Sequence, residues 1–355
     1  MVALLCDALV DRGHEVELFC APGSKSKAVV RPVLEAPQPD SISTSMFEAD
    51  HVATAFAAIE SGTGSGLPFD VVHDHSGFTA LAMADRVTVP LVHTVHAPFD
   101  RTGSFYARHG RKGSLVCISR AQANDAPDGA SVAAVVPNPI DVASWPPTAE
   151  KRDYLLWIGR MAPEKGPQRA IEVASAAGRR LLLAGPVQPG CERFFAKEVE
   201  PRLSDGQIRY VGEVSTDLKM RLFAEAAALL MPIRWPEPFG MVMVEALAAG
   251  TPVVAFAHGA APEIIEHGVT GFLARDEQEM AALVMRVDEI EPGRCRRAVM
   301  ERWAPDQIAA RYAALYLGRL HDQHSARRAV RHRVGHAAQH PAPHALVADH
   351  EQVRA

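Results

Sequence analysis

Apolar positions along this chain fall into short runs separated by helical stripes. Val2, Leu5, Leu9 and Val10 recur at helical spacing, and Arg12 and Gly13 end that segment. A strand is predicted at 14–21, with Val16, Leu18 and Cys20 on one face. Further strands are predicted at 69–72, 90–95, 114–118 and 132–136, with helical or loop segments between them. The stretch 139–152, rich in proline and charge, reads as a linker. A second series follows it. Strands at 154–158, 180–184, 208–211, 229–233 and 252–256 alternate with helices at 167–177, 217–228, 239–249 and 278–287. One more amphipathic helix is predicted at 305–320. Short apolar runs alternating with helices are the pattern of parallel strands buried on both faces. The expected fold class is therefore α/β, with two doubly wound parallel-sheet, Rossmann-like domains facing a cleft. Ligands of such sheets sit outside the carboxyl ends of the strands, so the chemistry is expected between the domains.

The expected division is a first domain at 1–145, a second at 150–303, and a terminal helix at 304–320 that could pack back on the first domain. The last stretch, 321–355, is biased toward His, Ala and Arg, lacks a sustained apolar face and is expected to be disordered. It holds seven of the 16 histidines, at irregular spacing that suits a solvated tail better than a metal site. Formal net charge is -5, which argues against a nucleic-acid partner. Residues 1–150 carry 10 Lys and Arg against 17 Asp and Glu, so membrane-surface docking is not expected. The five cysteines are scattered, without a C-x-x-C pair, which suits a reducing compartment and a cytoplasmic location.

Three blocks of the second half carry chemistry. In W-P-E-P-F-G-M-V-M-V-E, Glu237 and Glu245 stand eight residues apart, at the entrance of a helix and two turns into it. Gly240 lets the backbone approach a ligand closely, and the helix start offers free N–H groups. A carboxylate can hold a diol of a ribose or hexose. On spacing alone, a capping role for Glu237 and a solvated Glu245 stay open. In the second block, Gly159 to Gly166, Arg160 and Lys165 lie in a strand-to-helix loop where two cations could bracket a diphosphate. The third block runs from Ala257 through Gly259, Ala260, Pro262 and Glu263 to Gly271. There Glu263 is equally a ligand group or a first-turn acid favoured by the helix dipole. In the first half, His73 and His75 end one predicted strand, and His93 and His96 another. They are read as polar rim residues rather than metal ligands, and no metal site is proposed.

In combination these blocks resemble the glutamate–seven–glutamate signature and loops of family 4 retaining glycosyltransferases, which have the two-domain GT-B fold. The resemblance covers nearly all of 1–320. It implies that Glu237 contacts the transferred sugar and that Glu245 holds the ribose. It implies backbone donors at Phe239, Gly240, Gly259 and Ala260. Arg160 and Lys165 would stabilise the diphosphate leaving group, and His96 would lie close to the sugar. The implied reaction moves a sugar from a nucleotide-sugar donor to an unidentified acceptor, without metal or other cofactor. Family members begin with a buried strand and a glycine-rich loop ahead of the helix that here starts at residue 2. A natural start roughly 20–30 residues upstream is therefore expected, and an inactive nucleotide-binding fragment is the alternative. A dinucleotide dehydrogenase is set aside because no G-x-G-x-x-G follows a strand. A sugar-nucleotide epimerase shares the architecture but not the Glu–Phe–Gly block.

Overall fold

The computed structural model describes residues 1–36, 45–61, 69–100, 102–146, 150–204 and 206–339, with side chains of the last segment described to Ser325. All strand pairings within its three sheets are parallel. The first half holds β1 (Glu17–Cys20) and β2 (Val29–Pro32), paired with each other. It also holds a separate sheet in the order β3 (Val72–Asp74), β4 (Leu91–Val95), β5 (Ser114–Cys117) and β6 (Val132–Val135). Among the described residues no ladder joins β1 to β3. The second half holds β7 (Leu155–Ile158), β8 (Leu181–Ala184), β9 (Ile208–Tyr210), β10 (Ala228–Met231), β11 (Val253–Phe256) and β12 (Gly271–Ala274). Their order is β12-β11-β10-β7-β8-β9, so the order reverses at β7 and β10. That reversal opens a crevice at the carboxyl ends of these two strands.

Burial follows the pattern of the sequence. β4, β10 and β11 are buried at every position, as strands covered on both faces must be. One large core fills the second half around Leu155, Phe223, Val244 and Phe272. The first half has two smaller ones. Phe56, Leu81 and Leu115 pack on one face of its sheet, while Leu5, Leu9, Val92, Val116, Ile308 and Tyr312 pack on the other. Helix Val2–Asp11 lays its apolar stripe on β4, β5 and the terminal helix.

That terminal helix, Pro305–Gln339, runs well past the expected end at 320. The disorder expected from 321 is corrected for 321–339, and 340–355 lie outside the described residues. Alanine and arginine are strong helix formers, and no proline interrupts the run before Pro341. The described part of the linker is anchored at 140, 145 and 146. Trp145 is buried against Phe223, Ile140 N donates to Trp303 O at 3.0 Å, and Arg296 reaches Pro146 O at 3.0 Å.

Candidate active site

The strand-to-helix loop after β7 places one cation against a carboxylate. Met161 and Ala162 are fully buried and fix the loop from below. Gly166 adopts a left-handed φ of 74°. A Cβ there would come within 2.6 Å of Pro232 O, so only glycine lets the loop close on the end of β10. Lys165 Nζ then lies 2.6 Å from Glu237 Oε2 and 4.5 Å from the Trp235 ring centroid. Trp235 Nε1 donates to the same oxygen at 2.9 Å. Glu237 Oε1 takes no hydrogen bond among the described residues. Arg160 is exposed and makes no ion pair among them.

Glu237 is also held through its backbone. Gly259, at φ 53°, leaves room where a Cβ would sit 2.6 Å from both Glu237 N and Glu237 O. Ala260 N donates to Glu237 O at 3.0 Å. The loop after β11 therefore braces the loop after β10. It also means that the N–H of Ala260 is engaged within the protein and not free for a ligand, which corrects its assignment as a donor. The N–H groups of Phe239, Gly240 and Gly259 donate to no other group among the described residues. Gly240, left-handed at φ 80°, opens helix Met241–Ala248, and Phe239 packs beneath it against Trp303. Further along that helix, Glu245 Oε1 accepts from Lys219 Nζ at 2.7 Å. Its Oε2 is buried without a partner, the arrangement of an acceptor waiting for a donor.

The first half brings neutral rings together. His75 Nδ1 and His96 Nε2 are 3.0 Å apart. His73 links Tyr316 OH at 2.7 Å to Thr94 Oγ1 at 2.8 Å, and Thr94 continues to Tyr312 OH at 2.9 Å. Burial pushes His73 down to about 3 and His96 down to about 4, and lowers His75 well below the ordinary value. His93 Nδ1 meets Asp74 Oδ2 at 2.5 Å. Burial raises the Asp74 carboxyl, but hydrogen bonds from His93 and Ser76 outweigh it and hold the group below the ordinary range. Every one of these histidines is thus a hydrogen-bonding ring within a protein network. The two halves touch at their carboxyl ends, where Glu263 accepts from Arg120 N at 2.9 Å and from Ala121 N at 2.7 Å. Glu263 is thus the first-turn acid left open from sequence, and its carboxylate is also engaged by the other half.

The family models settle the class. The model for Glycosyltransferase Family 4 matches residues 1–144, and the model for Glycosyl transferases group 1 matches 144–306. The chain is a family 4 glycosyltransferase. The D-inositol 3-phosphate glycosyltransferase of Mycolicibacterium smegmatis is 27% identical over 349 residues, covering 83% of this chain and 79% of that protein. The solved structure of AviGT4, a glycosyltransferase involved in avilamycin A biosynthesis, is 27% identical with a TM-score of 0.64, covering 90% of this chain and 88% of that one. Anabaena HepE, solved with UDP and glucose, shares the GT-B fold at TM-score 0.66 and 20% identity, covering 88% and 95%.

In this glycosyltransferase the structure brings Lys165, Glu237, Phe239, Gly240 and Gly259 around the ends of β7, β10 and β11. Glu245 faces Lys219, and His96 stands with His75 on the other sheet. Lys219, Trp145 and Gln122 were missed from sequence. Lys219 sits in the first turns of helix Thr216–Glu225, where a single lysine looks like any solvated residue. Trp145, whose ring lies 5.8 Å from Lys219 Nζ, was hidden in the linker. A tryptophan between prolines in a polar stretch was the one signal that could have flagged it.

Proposed function

We propose that this glycosyltransferase moves a sugar from a nucleoside diphosphate donor to an acceptor hydroxyl with retention of anomeric configuration. The Lys165–Glu237 contact of 2.6 Å, at the crevice between β7 and β10, carries this reading. Lys165 and the unengaged Arg160 flank the space for a diphosphate. As the bond to the sugar breaks, charge grows on the departing phosphate, and fixed cations favour that state over the bound substrate. Glu237 Oε1 is free to take sugar hydroxyls, and the N–H groups of Phe239, Gly240 and Gly259 add donors. The orphaned Oε2 of Glu245 is assigned to the ribose hydroxyls. His96 supplies a neutral donor or acceptor to the sugar from the other domain.

The UDP and glucose bound by HepE support a nucleotide-sugar donor. Two side-chain cations at the diphosphate make a metal ion unnecessary in this scheme, so EDTA should leave transfer intact. All five cysteines are free, which suits the reducing cytoplasm where we place the reaction. The test is a melting-temperature screen of UDP, ADP and GDP and their sugars, followed by NMR of the product's anomeric centre. One nucleotide should raise the melting temperature, and an α-linked donor should give an α-linked product. Inversion would remove the retaining mechanism, and indifference to every nucleotide would remove the donor assignment.

A further inference from the structure

Glu263 stands in the first turn of the short helix Ala261–Ile264, yet its carboxylate is engaged across the domain boundary. Its two oxygens accept from Arg120 N at 2.9 Å and Ala121 N at 2.7 Å. The receiving turn is rigid. Ser119 Oγ accepts from Gln122 N at 3.0 Å, and Gln122 is only 3% exposed. The carboxamide of Gln122 is fully used. It accepts from Ile118 N at 2.7 Å and donates to Val95 O and Ala97 O, both at 3.0 Å. Those two carbonyls lie on either side of His96.

The near side is equally fixed. Arg302 donates to Ile264 O at 3.2 Å and also to Glu263 O, with its guanidinium 4.2 Å from the Trp303 ring centroid. The same loop reaches Glu237 through Ala260 N. A short series of contacts therefore runs from Glu237 through Glu263 and Gln122 to the backbone that carries His96. Arg120 is exposed and Ala121 half-buried, so water can compete and the contact can open and close.

We propose that Glu263 is an interdomain latch and that Glu263 and Gln122 are positioning residues, setting where His96 stands relative to Glu237. This rests on the reading of His96 and Glu237 as groups that meet the donor sugar. Nucleotide binding, by contrast, uses second-domain groups and should not depend on the latch.

Glu263→Ala removes both acceptors, and Glu263→Gln keeps the shape but only one acceptor oxygen. Amide hydrogen exchange, measured without ligand, should quicken at 119–122 and at 95–97 in both variants, more in Glu263→Ala. Exchange at 159–166 should not change. The affinity for whichever of UDP, ADP or GDP binds the wild type should also hold. With the corresponding nucleotide sugar, kcat should fall about 10–100-fold, the loss of one or two charge-assisted hydrogen bonds, with Glu263→Gln the milder case. Unchanged exchange at 95–97 overturns the latch. Altered exchange with wild-type kcat overturns the positioning role. Altered exchange in the variants, beside a wild type that transfers no sugar from any donor, would bring down the proposed reaction while the latch stood. If Glu263→Ala unfolds, the milder Glu263→Gln decides by the same measurements.

Discussion

At the carboxyl ends of its strands the second domain carries two lysine–glutamate pairs, and the first carries a cluster of neutral rings beside the Asp74 carboxylate. Lys165 pairs with Glu237 and Lys219 with Glu245, each within 2.7 Å. In the first domain, His75 meets His96, and His73 meets Tyr316 and Thr94, with all three histidines held neutral by burial. The frameworks differ as well. Six continuous strands support the charged side, while the neutral side rests on a four-stranded sheet and a separate pair. In the proposed reaction, the difference matches what each side would meet. A leaving diphosphate needs cations fixed in advance, because preorganised charge costs no reorganisation during reaction. Sugar hydroxyls need only hydrogen bonds, and a protonated histidine cluster would add repulsion without purpose.

The sharpest way to break this contrast is to remove the cations. Lys165→Ala is expected to lower turnover by about 10²–10³. Arg160→Ala should lower turnover in the same direction and leave the melting temperature unchanged, since that exposed side chain makes no ion pair among the described residues. Lys165→Ala should cost some stability, because it leaves Glu237 with Trp235 alone. Turnover and melting measured on the same preparations decide the matter. A folded double variant with wild-type turnover would refute the charged half of the scheme.

Next in size is the division of labour between the two glutamates. Glu245→Gln should weaken binding of the bare nucleoside diphosphate by about 10–100-fold, the worth of one hydrogen bond to a charged group. Glu237→Gln should leave that affinity nearly unchanged and slow transfer instead. Calorimetry with the bare nucleotide separates the two. Equal losses for both variants would mean that the carboxylates do not address different parts of the donor.

The neutral half makes its own prediction in acid. In the unfolded chain these histidines titrate near the ordinary 6.5, whereas His96 is lowered to about 4 and His73 to about 3 in the fold. As pH falls below 6.5 the unfolded chain takes up protons first. The stability contributed by the neutral rings is therefore complete above pH 6.5 and is lost as pH falls toward 4. The loss is at most about 1.4 kcal/mol per pH unit for each ring. Between pH 7 and 5, amide exchange at β4 should quicken while β11 stays protected. Equal loosening of both sheets would contradict the contrast.

How far this was legible in the sequence depended on distance along the chain. The loop with Arg160 and Lys165 and the Glu237–Glu245 helix are local patterns, and they were readable as such. β12 was not predicted as a strand, with a glycine at its start, and β2 was missed with Pro32 at its end. Gly259 was assigned as a backbone donor, yet its strictest requirement is the 2.6 Å approach to the Glu237 backbone, which needs the folded register of β10 and β11. The terminal helix shows the same limit. Its tyrosines look like ordinary core residues, and nothing local says that Tyr316 reaches a histidine 243 positions earlier.

That last contact gives the smallest predicted effect. Tyr316→Phe keeps the ring and removes the hydroxyl that lies 2.7 Å from His73 Nδ1. The lost bond and the unpaired buried nitrogen together should cost about 1–3 kcal/mol. Tyr210→Phe is the matched control in the second domain, where a half-buried hydroxyl donates to Gly185 O at 2.9 Å. Water can replace that partner, so about 0.5–1.5 kcal/mol or less is expected there. Urea unfolding of the two variants at pH 7 compares them directly. A second comparison at pH 5 sharpens the result. Burial lowers His73 to about 3, so the ring stays neutral in the fold at pH 5 and the destabilisation by Tyr316→Phe should hold there. The Tyr210→Phe difference should not move with pH. If Tyr316→Phe is as mild as Tyr210→Phe at both pH values, the Tyr316–His73 bond is not what binds the terminal helix to the first domain.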